Sequence, residues 1–458
     1  MSAAVAPTGW SAKSAPLVRA MSVSAAGALG SGLVSITATK ILAVGLGPAG
    51  MAVLGTLEQI RDTAGVAATL NGRTALVQGS SARDDLARRE YVRTAAALIA
   101  GATGLTAAML LLVPGIVARW AGLPVADYAL VRWLALTIAL ASVFGFLTAL
   151  LNASGAIGRI ALLQLAGPTA MALLAWPASR GGKLGFPLLL TLAAGSSTVA
   201  ACGMAWAERD TLHEWWRGAG QWFRGHAAAR FLSMAGAMLA AGLAGTSALV
   251  TVRAGILHGQ GFAAAGQFDA AWGLSMNQVT LVLASLQTYC LPALAKSRDR
   301  EDRAQQMTRM LTLAAPIAAV LVAVVALAKP LWLDLFYSRA FEDAARYLRW
   351  TLIGDYLKVT SWILSISMLA AADMRMFLAT DLAVAGVFVG GARLLARWWT
   401  PAEAAAMAFV LMNAAHLAIC GVYVHRRHGF RWSGWCAVSW TGGAALVATA
   451  SALGWRTP

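Results

Sequence analysis

Three ionisable residues, Glu58, Arg61 and Asp62, stand inside the stretch Lys40 to Gly79, which is otherwise apolar enough to cross a membrane. An ionisable group at bilayer depth is costly unless it faces a bundle interior or a water-filled cavity. Such a cluster therefore marks either a pathway or a structural ion pair buried between helices. Gly55, Glu58, Asp62, Gly65, Thr69 and Gly72 follow helical spacing and fall on one face. Glu58 and Arg61, three apart, can pair along the helix, which leaves Asp62 as surplus negative charge.

The elements that position these groups must be membrane helices. The 458-residue chain is 59% hydrophobic and 12% charged, with a mean hydropathy of +0.65, against roughly 25% charged residues in soluble domains. That composition defines an integral membrane protein. The formal net charge of +16 is then explained by lysines and arginines collecting in cytoplasmic loops, and no nucleic-acid partner is expected. Cys202, Cys290, Cys420 and Cys436 all lie in apolar segments without CxxC spacing, so neither a disulfide framework nor a metal site is indicated.

Residues near Leu17 to Ile41 form a first, uncleaved span preceded by Lys13. The sequence GLGPAG makes a turn, and the second span ends near Arg73. Further spans are expected at Tyr91 to Pro114, Val125 to Leu151, Ile157 to Trp176 and Leu184 to Trp206, completing a six-helix bundle in residues 1–207. Residues 208–230 interleave Trp215, Trp216, Trp222 and Phe223 with Arg209, Arg217, Arg224 and His226 and read as a cytoplasmic interfacial linker helix. A second bundle, residues 231–425, holds spans at Phe231 to Leu257, Phe262 to Cys290, Met307 to Ala328, Arg346 to Ala370, Phe377 to Leu395 and Ala402 to Val424. Residues 426–458 include Trp432 to Leu453, a candidate for one more crossing. With the N-terminus cytoplasmic, the inside loops carry Arg83 to Arg93, the linker, then Lys296, Arg298, Arg300 and Arg303, and finally Arg426, Arg427 and Arg431, as the positive-inside rule requires.

The halves repeat at an offset of about 213 to 217 residues. Lys40 matches Arg253, Gly47 matches Gly261, Pro114 matches Pro330, Arg132 and Trp133 match Arg349 and Trp350, and Arg159 matches Arg375. An even number of helices separates the copies, so the bundles run parallel about an axis along the membrane normal, with the substrate expected at their interface. The polar face recurs on the eighth helix as Asp269, Gly273, Asn277, Thr280, Ala284 and Gln287.

Gly45, Gly47 and Gly50 form a literal GxGxxG, but Pro48 sits inside it and it joins two membrane helices, so it is a turn. The sequon at Asn152 lies at the end of the fourth helix and is incidental. No HExxH, P-loop or nucleophile-elbow pattern occurs, which argues against an ATPase or hydrolase.

The stretch KILAVGLGPAGMAVLGTLEQI, followed by NGRTALVQ, resembles the start of Wzx-type O-antigen and polysaccharide flippases of the multidrug/oligosaccharidyl-lipid/polysaccharide (MOP) exporter superfamily. VRAGILHGQGFAAAGQFDAAW and CLPALAK resemble the corresponding part of the second half. The resemblance covers most of the chain and fades after Thr400. It implies an all-α, MATE-like fold of two six-helix bundles and the movement of an undecaprenyl-diphosphate-linked oligosaccharide across the bacterial inner membrane. Implied partners are that lipid-linked oligosaccharide, membrane lipids and the polysaccharide polymerase machinery. A MATE-type antiporter for cationic drugs shares the bundles and is the alternative. A polytopic polymerase or ligase would need a larger outer loop.

A diphosphate cannot cross hydrocarbon unaided, and cationic groups would hold it, arginine better than lysine where forked contacts count. The candidates are Arg61, Lys358, Arg253 and Lys40, with Arg61 and Lys358 at similar depth facing one cavity from opposite bundles. Lys358 has Asp355 at pairing distance along the helix. Lys40 and Arg253, near helix ends, are candidates for snorkelling. Asp62, Asp269, Glu58, Asp355 and Asp381 are candidates for coupling to H+ or Na+, no other cofactor being implied. His416, beside Asn413, reads as a packed polar residue.

Overall fold

The structure, a computed structural model, describes residues 15–80, 85–216, 221–295, 297, 299–371 and 373–453. Lys13, Arg83, Arg217, Lys296 and Arg298 of the basic segments lie outside the described residues. The order is α1 (Ala15–Ala68), α2 (Arg73–Ser80), α3 (Asp85–Leu112), α4 (Pro114–Trp120), α5 (Tyr128–Ala153), α6 (Ile157–Arg180), α7 (Gly185–Ala207) and α8 (Arg209–Trp216). There follow α9 (Gly225–Ala295), α10 (Arg300–Leu327), α11 (Lys329–Phe336), α12 (Ala344–Ala370), α13 (Met374–Leu395), α14 (Pro401–His428) and α15 (Gly434–Leu453). Starts and stops follow capping chemistry. Asp299 accepts from the Asp302 amide at 2.8 Å to begin α10, and Thr400 with Pro401 begins α14, which Gly429 ends in the left-handed region.

Two helices are far longer than a bilayer is thick, and each contains one residue that leaves helical geometry. Gly47 adopts φ 63°, ψ −177° inside α1, and Gly261 adopts φ 81°, ψ −178° inside α9, a region open essentially to glycine alone. Both are hairpins. Arg253 and Asp269, 16 residues apart and equidistant from Gly261, are in contact, whereas a straight helix would hold them about 24 Å apart. In α1 the first arm rises alongside α6, with Gly27 against Ala161 and Gly45 against Ser179. The second arm returns to bring Thr69 beside Gly145 of α5. The expected six-residue turn GLGPAG is thus a single residue, because Pro48 can occupy the first turn of the next helix, where no amide partner is needed. The second span ends at Ala68, short of Arg73, where Leu70 and Asn71 take positive φ.

Among the described residues, eleven helical segments are long and apolar enough to cross a membrane. Counting each hairpin as two, the described residues hold thirteen candidate crossings. Residues α3 through α7 and α10 through α14 repeat the same succession of long helix, short proline-led helix and three long helices. The architecture is therefore two parallel, pseudo-symmetric six-helix bundles, with α15 packed on α10 and α12 as an addition to the second. Tyr356 donates to the Trp440 carbonyl at 2.7 Å, and the Trp440 indole donates to Thr360 at 3.2 Å.

The linker differs from a single interfacial helix over residues 208–230. Only α8 and the start of α9 are helical there among the described residues, and Trp215 is buried. The arginines of α3 hold α8 against the first bundle: Arg89 donates to the Glu214 carbonyl at 2.7 Å and Arg93 to that of Trp216.

Candidate functional site

The two hairpins enclose a cavity of about 300 Å³ at the interface between bundles. The first contributes Glu58 and Asp62, the second Arg253, Asp269 and Asn277, and Tyr337 closes one side. Arg253 organises it. Its Nε donates to Asp269 Oδ1 at 2.7 Å, Nη2 donates to the other carboxylate oxygen, and Nη1 donates to the Gly55 carbonyl at 2.6 Å. One guanidinium thereby ties both arms of its own hairpin to the other bundle through a forked, charge-assisted contact. Gly55 is required by this close approach: a Cβ there would lie 2.8 Å from Arg253 Nη2 and 2.9 Å from Asp269 Oδ2.

Several expectations are corrected by this geometry. Arg61 pairs with Asp62 and not with Glu58. Its Nε and Nη2 reach Asp62 Oδ1 at 3.0 and 2.8 Å, because a long arginine can bend onto an adjacent carboxylate that helical spacing would place on another face. Lys358 forms no salt bridge with Asp355, which is 0% exposed and already accepts from Ser275 at 2.8 Å and Gln278 at 3.0 Å. The Lys358 ammonium instead lies 3.4 Å from the Met276 sulfur and 5.7 Å from the centre of the Phe409 ring. Arg61 and Lys358 do not face each other across the cavity, and neither lines it. Arg253 does not snorkel: it is 5% exposed. Lys40 reaches the Asp334 carbonyl at the end of α11, not the cavity. Asp355 and Asp381 are likewise absent from the lining, whereas Glu58, Asp62 and Asp269 are present. His416 stays outside it as well, and Asn413 is buried with its amide on the Phe409 carbonyl at 2.8 Å.

Sequence reading missed Tyr337, which it left in an outer connection. Gln267 draws that connection into the cleft by donating to the Ala340 carbonyl at 2.7 Å and accepting from the Ala344 amide at 3.0 Å. Burial, then the Asp269 and Glu58 carboxylates, push the Tyr337 phenol up from its ordinary value and keep it a hydrogen-bond donor. Three carboxylates, Glu58, Asp62 and Asp269, therefore share the cavity lining with one guanidinium, while Arg61 stands just behind Asp62. The arrangement can exchange ions at the carboxylates, and it can offer Arg253 to an anion only by dissolving the pair with Asp269.

No family model matches the chain. Over 163 residues it is 24% identical to the "Lipid III flippase" of Escherichia coli (strain K12), a match spanning 35% of this chain and only 38% of that flippase. Among solved structures, it superposes on the inward-facing conformation of a multidrug resistance MATE family transporter of the MOP superfamily with a TM-score of 0.72. That match has 15% identity and covers 87% of this chain and 94% of that one. The outward-facing conformation of such a transporter gives 0.66 at 15% identity, covering 90% and 95%. The chain has the fold of these MATE transporter structures, and the eleven long apolar helical segments among its described residues make it a multi-pass membrane protein.

Proposed function

We propose that this protein is a MOP-type transporter, not an enzyme. In this reading it flips an undecaprenyl-diphosphate-linked oligosaccharide, an O-antigen or related surface-polysaccharide unit, across the bacterial inner membrane by alternating access. The observation that carries the reading is Arg253, a buried guanidinium at the bundle interface whose partners are a carboxylate and a carbonyl that a ligand can displace. A diphosphate offers Arg253 the same forked geometry as Asp269. Once displaced, Asp269 is a buried carboxylate without its cation and takes up H+ or Na+, which couples ion movement to substrate binding. Glu58 and Asp62 are further carboxylates for the same exchange. The partial identity to a flippase supports the substrate class. The N-terminus is cytoplasmic in this reading, and the polysaccharide polymerase machinery receives the product.

A second reading, a MATE-type antiporter for cations, is favoured by one observation: carboxylates outnumber cations in the cavity lining. Complementation of polysaccharide display in a flippase-deficient strain, normalised to membrane-inserted protein, separates the two. Arg253→Ala is expected to abolish display and Arg253→Lys to retain part of it. Full display from the double variant Arg253→Ala with Asp269→Ala would overturn the flippase reading.

A further inference from the structure

Away from the central cavity, α13 and α14 leave a groove of about 540 Å³ at the end of the molecule where α14 terminates. Its walls are Met376, Ala418, Ile419 and Val422, and its rim is Tyr423, Arg426 and Arg427. Val422 is exposed, so the walls open outward toward the surrounding hydrocarbon. The last turn of α14 reads His425, Arg426, Arg427, His428. A 28-residue helix is about 42 Å long, whereas the hydrocarbon core is about 30 Å thick. The two arginines therefore project at headgroup level while Ala418, Ile419 and Val422 lie within the acyl region.

Charge at the rim is net positive. Arg426 and Arg427 are exposed and form no salt bridge among the described residues. Arg300 and Arg303 gather with Arg427 around His428, adding positive potential. The nearby carboxylate, Asp373, is occupied by the Tyr423 hydroxyl at 3.3 Å and the Met376 amide at 3.2 Å, which ties the two helices together beneath the rim. An apolar trough capped by two free guanidinium groups at the membrane boundary matches a molecule with an acyl chain below and a net negative phosphate above.

We propose that this groove is a binding site for an anionic phospholipid, whose phosphate bridges Arg426 and Arg427 and whose acyl chain lies along Ile419 and Val422. A zwitterionic lipid carries the same chain but brings no net charge to the rim. The site is separate from the transport cavity and independent of what that cavity moves.

The test is native mass spectrometry of the full-length protein released from detergent with phosphatidylglycerol or phosphatidylcholine of matched chains. Phosphatidylglycerol adducts are expected to exceed phosphatidylcholine adducts roughly tenfold or more, given two arginines near a membrane surface. Arg426→Gln with Arg427→Gln is expected to erase the preference. Arg431→Gln, which removes a charge outside the groove, is expected to keep it. Val422→Trp, which fills the trough and leaves the charges, is expected to weaken phosphatidylglycerol binding severalfold. Equal binding of the two lipids would overturn the proposal. So would an undiminished preference in either groove variant, or a loss in Arg431→Gln as large as in the double variant, which would assign the effect to bulk charge.

Discussion

The two hairpins share a backbone device and differ in what they hang on it. Gly47 and Gly261 take nearly the same unusual conformation, and each is preceded by a cation on the incoming arm, Lys40 seven residues before Gly47 and Arg253 eight before Gly261. In the second hairpin, Arg253 turns inward and closes on Asp269 across the turn. In the first, the place of Asp269 is taken by Gly55, and Lys40 reaches away to the Asp334 carbonyl. The glycine leaves the room into which the partner's ion pair fits. The repeat thus dictates where the chain turns, and the departures from it create the site: the Arg253–Asp269 pair on one side, Glu58 and the Arg61-paired Asp62 on the other. The same holds at the ends of the third and tenth helices. Val113, before Pro114, is 40% exposed, whereas Lys329, before Pro330, is 1% exposed because α15, which has no counterpart in the first half, covers it.

The largest effect should come from unbalancing the pair. Asp269→Ala leaves Arg253 buried without its carboxylate, at a cost of about 3–5 kcal/mol. Membrane-inserted protein, measured by fluorescence-detected size exclusion, should fall sharply, and combining it with Arg253→Met should restore it. If the single variant accumulates like wild type, the pair does not hold the bundles together. Next, Gly55→Ala pushes a methyl group between Arg253 and Asp269, and overpacking of this kind costs about 1–3 kcal/mol. An unchanged thermal midpoint would show that the approach is looser than the geometry states. Gly47→Ala and Gly261→Ala meet no neighbouring atom, so their cost is backbone strain alone, about 1–3 kcal/mol each. Equal losses would confirm that the hairpins are equivalent, and a loss at only one would break the comparison.

The smallest effect concerns Lys329. Burial, then Arg349, hold its ammonium down at about 8 against an ordinary 10.5. Between those two values the unfolded chain binds the proton that the folded chain has released. Stability therefore rises with pH across this window, and the full penalty of the charge is felt below it. The thermal midpoint should climb from pH 8 to pH 10.5 in wild type and more weakly in Lys329→Met; identical slopes would mean that α15 does not desolvate this lysine.

Much of this architecture was legible in the sequence. Apolar length marked the crossings, and five ordered matches marked the repeat, among them Gly47 with Gly261, where a backbone conformation open essentially to glycine leaves a mark on residue type. The charge pairing was not legible in the same way. Rules for helix faces connect residues three or four apart, so they suggested Glu58 with Arg61 and Asp355 with Lys358. At the cavity the pairs that form are instead adjacent, Arg61 with Asp62, or lie across a turn, Arg253 with Asp269. The second was within reach: once Gly261 is read as a turn, residues equidistant from it become neighbours. Asp355 was not, since its partners Ser275 and Gln278 come from another helix, and Tyr337 enters the cleft only through the tertiary clasp of Gln267.

In the proposed function, the cavity between the hairpins carries an anionic lipid-linked substrate through Arg253. Purified protein in proteoliposomes, loaded with a fluorescent undecaprenyl-diphosphate oligosaccharide, allows transfer between leaflets to be read by dithionite quenching. The wild-type protein should move the lipid, and the variant Arg253→Met with Asp269→Leu, folded but without the guanidinium, should not. Equal transfer by both proteins, or efflux of a cationic dye with no transfer of the lipid by either, would contradict the account.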